Sequence, residues 1–251
     1  MIDIHCHILP DYDDGAANLD EALKMAVLAV RSGVTDIIAT PHFPGRLTEL
    51  EHLPIMEQRL NQLQSALKEA SIDLNVHPGA EVLCLPETVV LADNGQLPTL
   101  ANTNYVLTEF YFDESFAYMD EALSQIALCG YRPVVAHPER YEVIRRDPRL
   151  LQRWARLGYV LQLNKGSVLG AFGPGPEHTA NDILAMGLAH LFASDAHSSH
   201  RRTTQMDALR AWVEERCDSH YAHILLDENP RRLLHGRPMV GAEDFPSFGT
   251  L

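Results

Sequence analysis

The chain has 251 residues, 46% of them apolar, and a formal charge of −14, a size and apolar content that fit one substantial core of the kind an α/β barrel buries. The charge argues against nucleic acid or an anionic membrane as the main partner, but less against an anionic substrate, because bound divalent cations reverse the local field. No run is long and apolar enough to span a membrane, and the opening MIDIHCH lacks the basic start and apolar run of a signal peptide; the expectation is a cytoplasmic protein without membrane insertion.

Taken in chain order, short apolar runs recur seven times: MIDIHCH, TDIIATPH, LNVHPGAEV, NYVLTEF, YRPVVAHPE, GYVLQLN and AHLFASDAH. Segments of helical period lie between most of them. NLDEALKMAVLAVRSG offers Asn18 as an N-cap, Glu21 three residues later, and Gly33 as a stop. DPRLLQRWARLG offers Asp147 as a cap, Pro148 at the first helical position and Gly158 at the end. Further helices are expected near 55–70, 115–129, 178–186 and 203–216. Seven buried strands alternating with helices predict a parallel sheet. Closed, it gives a barrel-like fold with its site at the carboxyl ends of the strands; an open doubly wound sheet is the alternative. The loops 43–54 and 164–178 are candidates for the rim. No repeat or low-complexity linker divides the chain, so residues 1–251 read as a single domain, with 235–251 an irregular tail.

Cys6, Cys84, Cys129 and Cys217 are scattered without CxxC pairing, as expected of reduced, mostly buried thiols. A cysteine-based phosphatase needs its nucleophile and a phosphate-clamping arginine on one loop, Cys followed by Arg six positions on; those positions hold Tyr12, Val90, Val135 and His223.

The chemistry gathers at the strand ends. The last residues of the predicted strands include His5 and His7, His42, Glu81, Glu109, His137, and Asp195 with His197, while Asp14 follows in the loop after the first strand. The sixth strand ends instead in Asn164 and Lys165. In HCH and DAH the two-residue spacing puts both side chains on one face of an extended segment. Any one of these residues alone is weak: a lone strand histidine is more often a core residue, and a strand-end carboxylate often caps the next helix. Selection of the same strand end six times in seven is not what unrelated structural roles produce. Imidazoles mixed with carboxylates suit Zn, Mn or Fe, and nine donors exceed the needs of one ion, so a shared carboxylate would allow two or three. His52, His77, His178, His190, His200, His220, His223 and His235 are read as lying outside the site.

The stretches MIDIHCHILPDYDDGA, IIATPHF, PGAEV, YVLTEF, GYRPVVAHPERY and FASDAHSSHRR occur in this order from residue 1 to about residue 202, with ENPRRLL at 228–234. Together they resemble the PHP (polymerase and histidinol phosphatase) superfamily, and more closely its bacterial CpsB/CapC branch of metal-dependent protein-tyrosine phosphatases. The resemblance implies a distorted seven-stranded (β/α) barrel with three divalent ions, usually manganese, with Fe, Zn or Mg as alternatives. It implies one ion on His5, His7, Glu81 and Asp195, a second sharing Glu81 and adding Glu109 and His137, and a third on Asp14, His42 and His197. It places phosphate-binding arginines at Arg140 and Arg202, with Arg201 adjacent to the latter. Asp14 is the position where this branch carries an aspartate and several relatives a histidine; Asp13 and Asp11 compete for that register.

The expected activity is hydrolysis of phosphotyrosine in a protein, by implication the C-terminal tail of a bacterial tyrosine kinase that controls capsule or exopolysaccharide synthesis. A metal-bridging hydroxide would attack phosphorus without a phosphoenzyme, with Arg140 and Arg202 on the phosphoryl oxygens. Asp3, spaced like His5 and His7, is a candidate to orient an imidazole or to cap backbone. Phe43, Tyr12, Phe110, Tyr111, Phe112 and Tyr141 are candidates to hold a tyrosine ring. A small-molecule phosphoesterase such as a histidinol phosphatase is the second reading, and a non-catalytic metal-binding module the third.

Overall fold

The computed structural model describes residues 1–241. Nine strands form among the described residues: β1 Ile2–Cys6, β2 Asp36–Ala39, β3 His42–Pro44, β4 Asn75–His77, β5 Glu81–Leu83, β6 Tyr105–Glu109, β7 Arg132–Ala136, β8 Val160–Asn164 and β9 Leu191–Ala193. Every pairing is parallel, in two sheets ordered β1-β2-β4 and β3-β5-β6-β7-β8-β9.

The expected count of seven strands is therefore corrected to nine, and the reason is local. TDIIATPH breaks at Thr40-Pro41 into β2 and β3, and LNVHPGAEV breaks at Pro78-Gly79 into β4 and β5. Proline has no N–H to give a ladder, so each run changes sheet where its proline falls. The sheets approach again at β1 and β9, through the parallel bridge Cys6–Ala196 and a 2.9 Å hydrogen bond from His7 N to Ala196 O.

Alternation along the strands separates two apolar clusters. Val134 and Ala136 of β7, Val160 of β8, and Leu191 and Ala193 of β9 join Ile2, Ile4, Ile38 and Leu107, with Leu100 and Leu233 in the same cluster. Val135, Leu161 and Phe192, one residue out of phase, belong to the larger cluster shared with helix residues such as Met25, Met119, Trp154 and Ile183.

The expected helices form at Leu19–Arg31, Leu53–Glu69, Phe116–Leu128, Leu151–Arg156, Pro174–Ala185 and Asp207–Arg216. Asn18 Oδ1 accepts from Glu21 N at 3.0 Å, and Asp147 accepts from Arg149 N at 3.2 Å ahead of a short 3₁₀ turn. Helices at Pro86–Asp93 and through Ser219–Leu234 were not legible from period alone. The last of these is anchored by Asn229, whose amide donates to His190 O at 2.9 Å and whose carbonyl accepts from Val240 N at 2.7 Å. Residues 235–241 are turn and coil, as expected for the start of an irregular tail; the rest of that segment lies outside the described residues.

β1 carries an irregularity that matters for the site. Asp3 pairs with Ile37 and Cys6 with Ala39, so three steps on β1 match two on β2. This one-residue bulge reverses the phase of the strand. Ile4 lies in the inter-strand cluster while Cys6 packs in the other one. Asp3, which strict alternation aligns with His5 and His7, instead accepts from Ser194 N at 2.9 Å and from Ser194 Oγ at 2.5 Å. Of its two expected roles, capping backbone is the one the structure shows, and it ties β1 to β9.

Candidate metal centre

The nine expected donors lie in one region, but His42 and Glu81, expected at strand ends, stand at the first positions of new strands because their runs break at the preceding prolines. His5 and His7 come from β1 and its exit, His42 and Glu81 open β3 and β5, Glu109 ends β6, and His137, Asp195 and His197 follow β7 and β9. Asp14 arrives on a loop that folds back over His7, with Ala16 N donating to His7 O at 3.0 Å. Gly15 makes that approach feasible, since a Cβ there would sit 2.1 Å from His7 O and 2.5 Å from His7 Cβ. His137 and Asp195 hold left-handed φ values of 35° and 50°, unusual for side-chain-bearing residues and costing about 1–3 kcal/mol each.

Glu81 is the hub. Its carboxylate lies 3.2 Å from His5 Nε2, 3.3 Å from His7 Nε2, 3.2 Å from His42 Nδ1 and 3.0 Å from His137 Nε2. Asp195 Oδ1 lies 3.5 and 3.6 Å from the Nε2 atoms of His5 and His7. Glu109 lies 3.6 Å from His137 and 3.7 Å from His42. Asp14 Oδ1 stands 3.4 Å from Nε2 of both His42 and His197. Three donor groups with metal-type spacing result among the described residues: His5, His7 and Glu81; His42, Glu81 and Glu109; and His7, Asp14, His42 and His197. Two expected donors, His137 and Asp195, belong to none of these groups, and neither do the eight histidines read as lying outside the site.

The donor set suits a divalent cation. His5 Nδ1 is 3.0 Å from Gln162 Oε1 and His7 Nδ1 is 2.7 Å from Asp13 Oδ2. With each Nδ1 facing an acceptor, the two Nε2 atoms converge at 3.3 Å on two buried carboxylates. Burial works against charge on these imidazoles, yet the facing carboxylates outweigh it and raise His5 to about 9 and His7 to about 10. Asp195 is held at about 2 despite its burial, by His5 and Arg202. Burial and the charge of Glu81 push Glu109 up. Carboxylates and imidazoles this close together are a fitting donor set for divalent ions, and imidazole–carboxylate sites without thiolate suit Mn, Fe or Zn. Cys6 faces away, its Sγ 3.9 Å from Ala196 O.

Asp195 divides the centre. Its Oδ1 faces the imidazoles, whereas its Oδ2 receives Asn164 Nδ2 and Arg202 Nη2 and lies 3.7 Å from Arg140 Nη1. Arg140 does not pair with its sequence neighbours: Glu139 accepts from Asn164 N at 2.9 Å, and Glu142 pairs with Arg146. Arg202 also reaches His197 Nε2 at 3.4 Å, whereas Arg201 is exposed. A hollow of about 490 Å³ opens beside the centre, lined by Asp14, Glu21, His197, Arg201 and Arg202 among others.

Of the candidate substrate aromatics, Phe43, Phe110 and Tyr141 are core residues, and Tyr141 Oη accepts from Phe110 N at 3.2 Å. Tyr12 is half-buried against the core, and Tyr111 and Phe112 are exposed. Gln162 and Asn164 were missed as site residues, although polar side chains at alternate positions of the apolar strand VLQLN were a readable signal. Phe172, stacked near both arginines, had none.

Residues 1–235 match the profile of the capsular polysaccharide synthesis family CpsB/CapC. The chain is 36% identical over 237 residues to the tyrosine-protein phosphatase YwqE of Bacillus subtilis, covering 94% of this chain and 92% of that one. It is similar, at a TM-score of 0.86 and 34% identity over 96% of this chain and 97% of the other, to a chain from the crystal structures of YwqE and of CpsB from Streptococcus pneumoniae, described as metal-dependent tyrosine phosphatases. A histidinol phosphate phosphatase from Lactococcus lactis, in complex with zinc, histidinol and phosphate, shares the fold at a TM-score of 0.52 and 17% identity, over 90% of this chain and 94% of the other.

Proposed function

This chain belongs to the CpsB/CapC family, and from that premise we propose that it is a metal-dependent tyrosine-protein phosphatase whose substrate is a phosphotyrosine protein of capsule or exopolysaccharide synthesis, the tail of a bacterial tyrosine kinase. The observation that carries the reading is the convergence of four imidazoles on Glu81 beside two arginines. Three divalent ions, manganese first among them, would be held by His5, His7, Glu81 and Asp195; by Glu81, Glu109 and His137; and by Asp14, His42 and His197, sets that depart from the three donor groups in adding Asp195 to the first, taking His137 in place of His42 in the second and leaving His7 out of the third. The two sheets, joined at Cys6–Ala196, read as a distorted barrel around this centre.

Bound divalent ions supply a lowered water pKa and positive charge at the phosphoryl oxygens. The chain's own residues do the rest. Gln162 and Asp13 fix which imidazole nitrogen of His5 and His7 faces inward. Arg140 and Arg202 present guanidinium forks to the phosphate from the Oδ2 side of Asp195. Asp14 and His42, with side chains 65% and 40% exposed, leave the third donor group open to solvent, so a protein-borne tyrosine can reach it. A phenolate with a pKa of about 10 departs with less proton assistance than an alkoxide.

The test uses protein stripped and reloaded with Mn²⁺, assayed on a phosphotyrosine peptide, a phosphoserine peptide and histidinol phosphate, with bound metal counted by elemental analysis. Preference for the phosphotyrosine peptide is expected. Preference for histidinol phosphate would replace this reading with the small-molecule one, and inactivity with every metal would favour a binding module.

A further inference from the structure

We infer that Phe172 is a positioning residue for the reaction: its ring holds the guanidiniums of Arg140 and Arg202 together on one side of the centre, and Gly166 provides the seat for that ring. The inference rests on the proposed phosphate role of the two arginines. The Arg140 guanidinium carbon lies 4.6 Å from the Phe172 ring centroid and 4.4 Å from that of Phe112, and the Arg202 carbon lies 5.6 Å from Phe172. One phenylalanine thus touches both cations, and these cations converge on the same oxygen of Asp195.

Two guanidiniums brought together repel each other, and a carboxylate that holds them occupies the donors phosphate needs. An aromatic face attracts a cation through its quadrupole and takes no hydrogen bond from the N–H edge. Phe172 therefore helps to orient the arginines without taking any N–H donor beyond those that already face Asp195.

The seat is equally specific. Phe172 lies in the glycine-rich connection between the short helix Lys165–Val168 and the helix Pro174–Ala185. Ala171 N donates to Gly166 O at 2.8 Å, which folds the connection back onto that short helix. A Cβ on Gly166 would sit 2.5 Å from Cε2 and 2.8 Å from Cζ of Phe172. No side chain fits there unless the ring moves. The same helix begins at Asn164, whose amide donates to Asp195, so ring, helix and carboxylate are built as one unit at the end of β8.

The experiment compares Phe172→Leu, Phe172→Tyr, Gly166→Ala, Arg140→Ala and Arg202→Ala in the Mn²⁺-loaded enzyme. It reads kcat and KM on a phosphotyrosine peptide, Ki for inorganic phosphate, Mn per chain and the thermal midpoint. Phe172→Leu keeps apolar bulk and removes the ring; KM and phosphate Ki are expected to rise about tenfold, with Mn content and midpoint unchanged. Phe172→Tyr restores both constants, and Gly166→Ala reproduces the Phe172→Leu pattern. Unchanged Ki in Phe172→Leu, while the arginine variants raise it, overturns the inference alone. Loss of stability or metal in Phe172→Leu without rescue by Phe172→Tyr also overturns it, by reducing the ring to packing. Unchanged Ki in both arginine variants overturns the arginine assignment, and this inference with it.

Discussion

Asp13 Oδ2 lies 2.7 Å from Nδ1 of His7, on the far side of the imidazole from Glu81, whereas its neighbour Asp14 faces Nε2 of both His42 and His197. Asp13 also accepts from the backbone N of His42 at 3.0 Å and from Gly15 N at 3.0 Å. Asp11 is engaged elsewhere, with Arg59 at 3.0 Å. In the proposed centre, adjacent carboxylates thus take different tasks: one orients a donor, the other would be a donor. Asp14→Asn is expected to lose one ion per chain and most activity. Asp13→Asn should keep the full count but bind metal about 10- to 100-fold more weakly. Equal stoichiometry and equal affinity in the two variants would contradict this division.

Glu81 is shared by two of the donor groups. Glu81→Gln should therefore lower the metal count by more than one per chain and reduce kcat by more than about a hundredfold, beyond the loss expected from an orienting partner. Elemental analysis of the purified variant measures the first, and loss of one ion or none argues against the hub role.

Removal of metal should also weaken the fold. Ions that bind only the native state at a hundred times their Kd add about 2.7 kcal/mol, which in a chain of this size corresponds to a fall of about 5–10 °C in Tm on chelation. Scanning calorimetry before and after EDTA, and again after Mn²⁺ is returned, gives the comparison. An unmoved transition would mean that the centre contributes nothing to stability.

Between β2 and β4, Oδ1 of Asp36, the first residue of β2, lies 2.9 Å from Nε2 of His77, the last residue of β4. That hydrogen bond, opposed by partial burial, holds the Asp36 carboxyl below its ordinary 3.8. A depressed carboxyl stabilises the fold above its unfolded pKa and loses that contribution as pH falls through the lower, folded value. Asp36→Asn should then cost about 1 kcal/mol at pH 7 after solvent screening. Its urea midpoint should approach that of the parent chain as pH falls below 3.8. A gap that stays constant down to pH 3 would assign the loss to packing.

Asp3→Ala tests the link between β1 and β9. The carboxylate accepts from Ser194 N and Ser194 Oγ in a fully buried setting, and each orphaned group costs about 1–3 kcal/mol. Strong destabilisation is expected, with the metal count kept in whatever fraction folds. A variant as stable as the parent would leave Asp3 without the structural role given to it.

Much of the fold was legible because the apolar runs and their caps are local signals, as Asn18 and Asp147 illustrate. The split of two runs was not, although its cause, a proline inside each, stood in plain view at Pro41 and Pro78. The seven residues of the donor groups were legible through residue type and their place near the ends of apolar runs. Their partners were less so: Gln162 and Asp13 look like ordinary polar residues until the chain brings them to His5 and His7. Phe172 depends on a loop path that no periodicity encodes, and the choice between the two readings of Asp3 turns on the bulge in β1, which the residue pattern does not announce.

That broken alternation sets a rule for anyone transplanting or redesigning this centre. The motif HCH does not by itself aim its imidazoles; the extra residue between Asp3 and Cys6 does. Deleting Ile4 would leave the histidine spacing intact on paper while rotating both rings toward the helix layer and the Cys6 thiol toward the carboxylates. A search for such centres by motif alone would therefore accept chains whose histidines point the wrong way, and the residues just upstream of the motif are the ones to inspect.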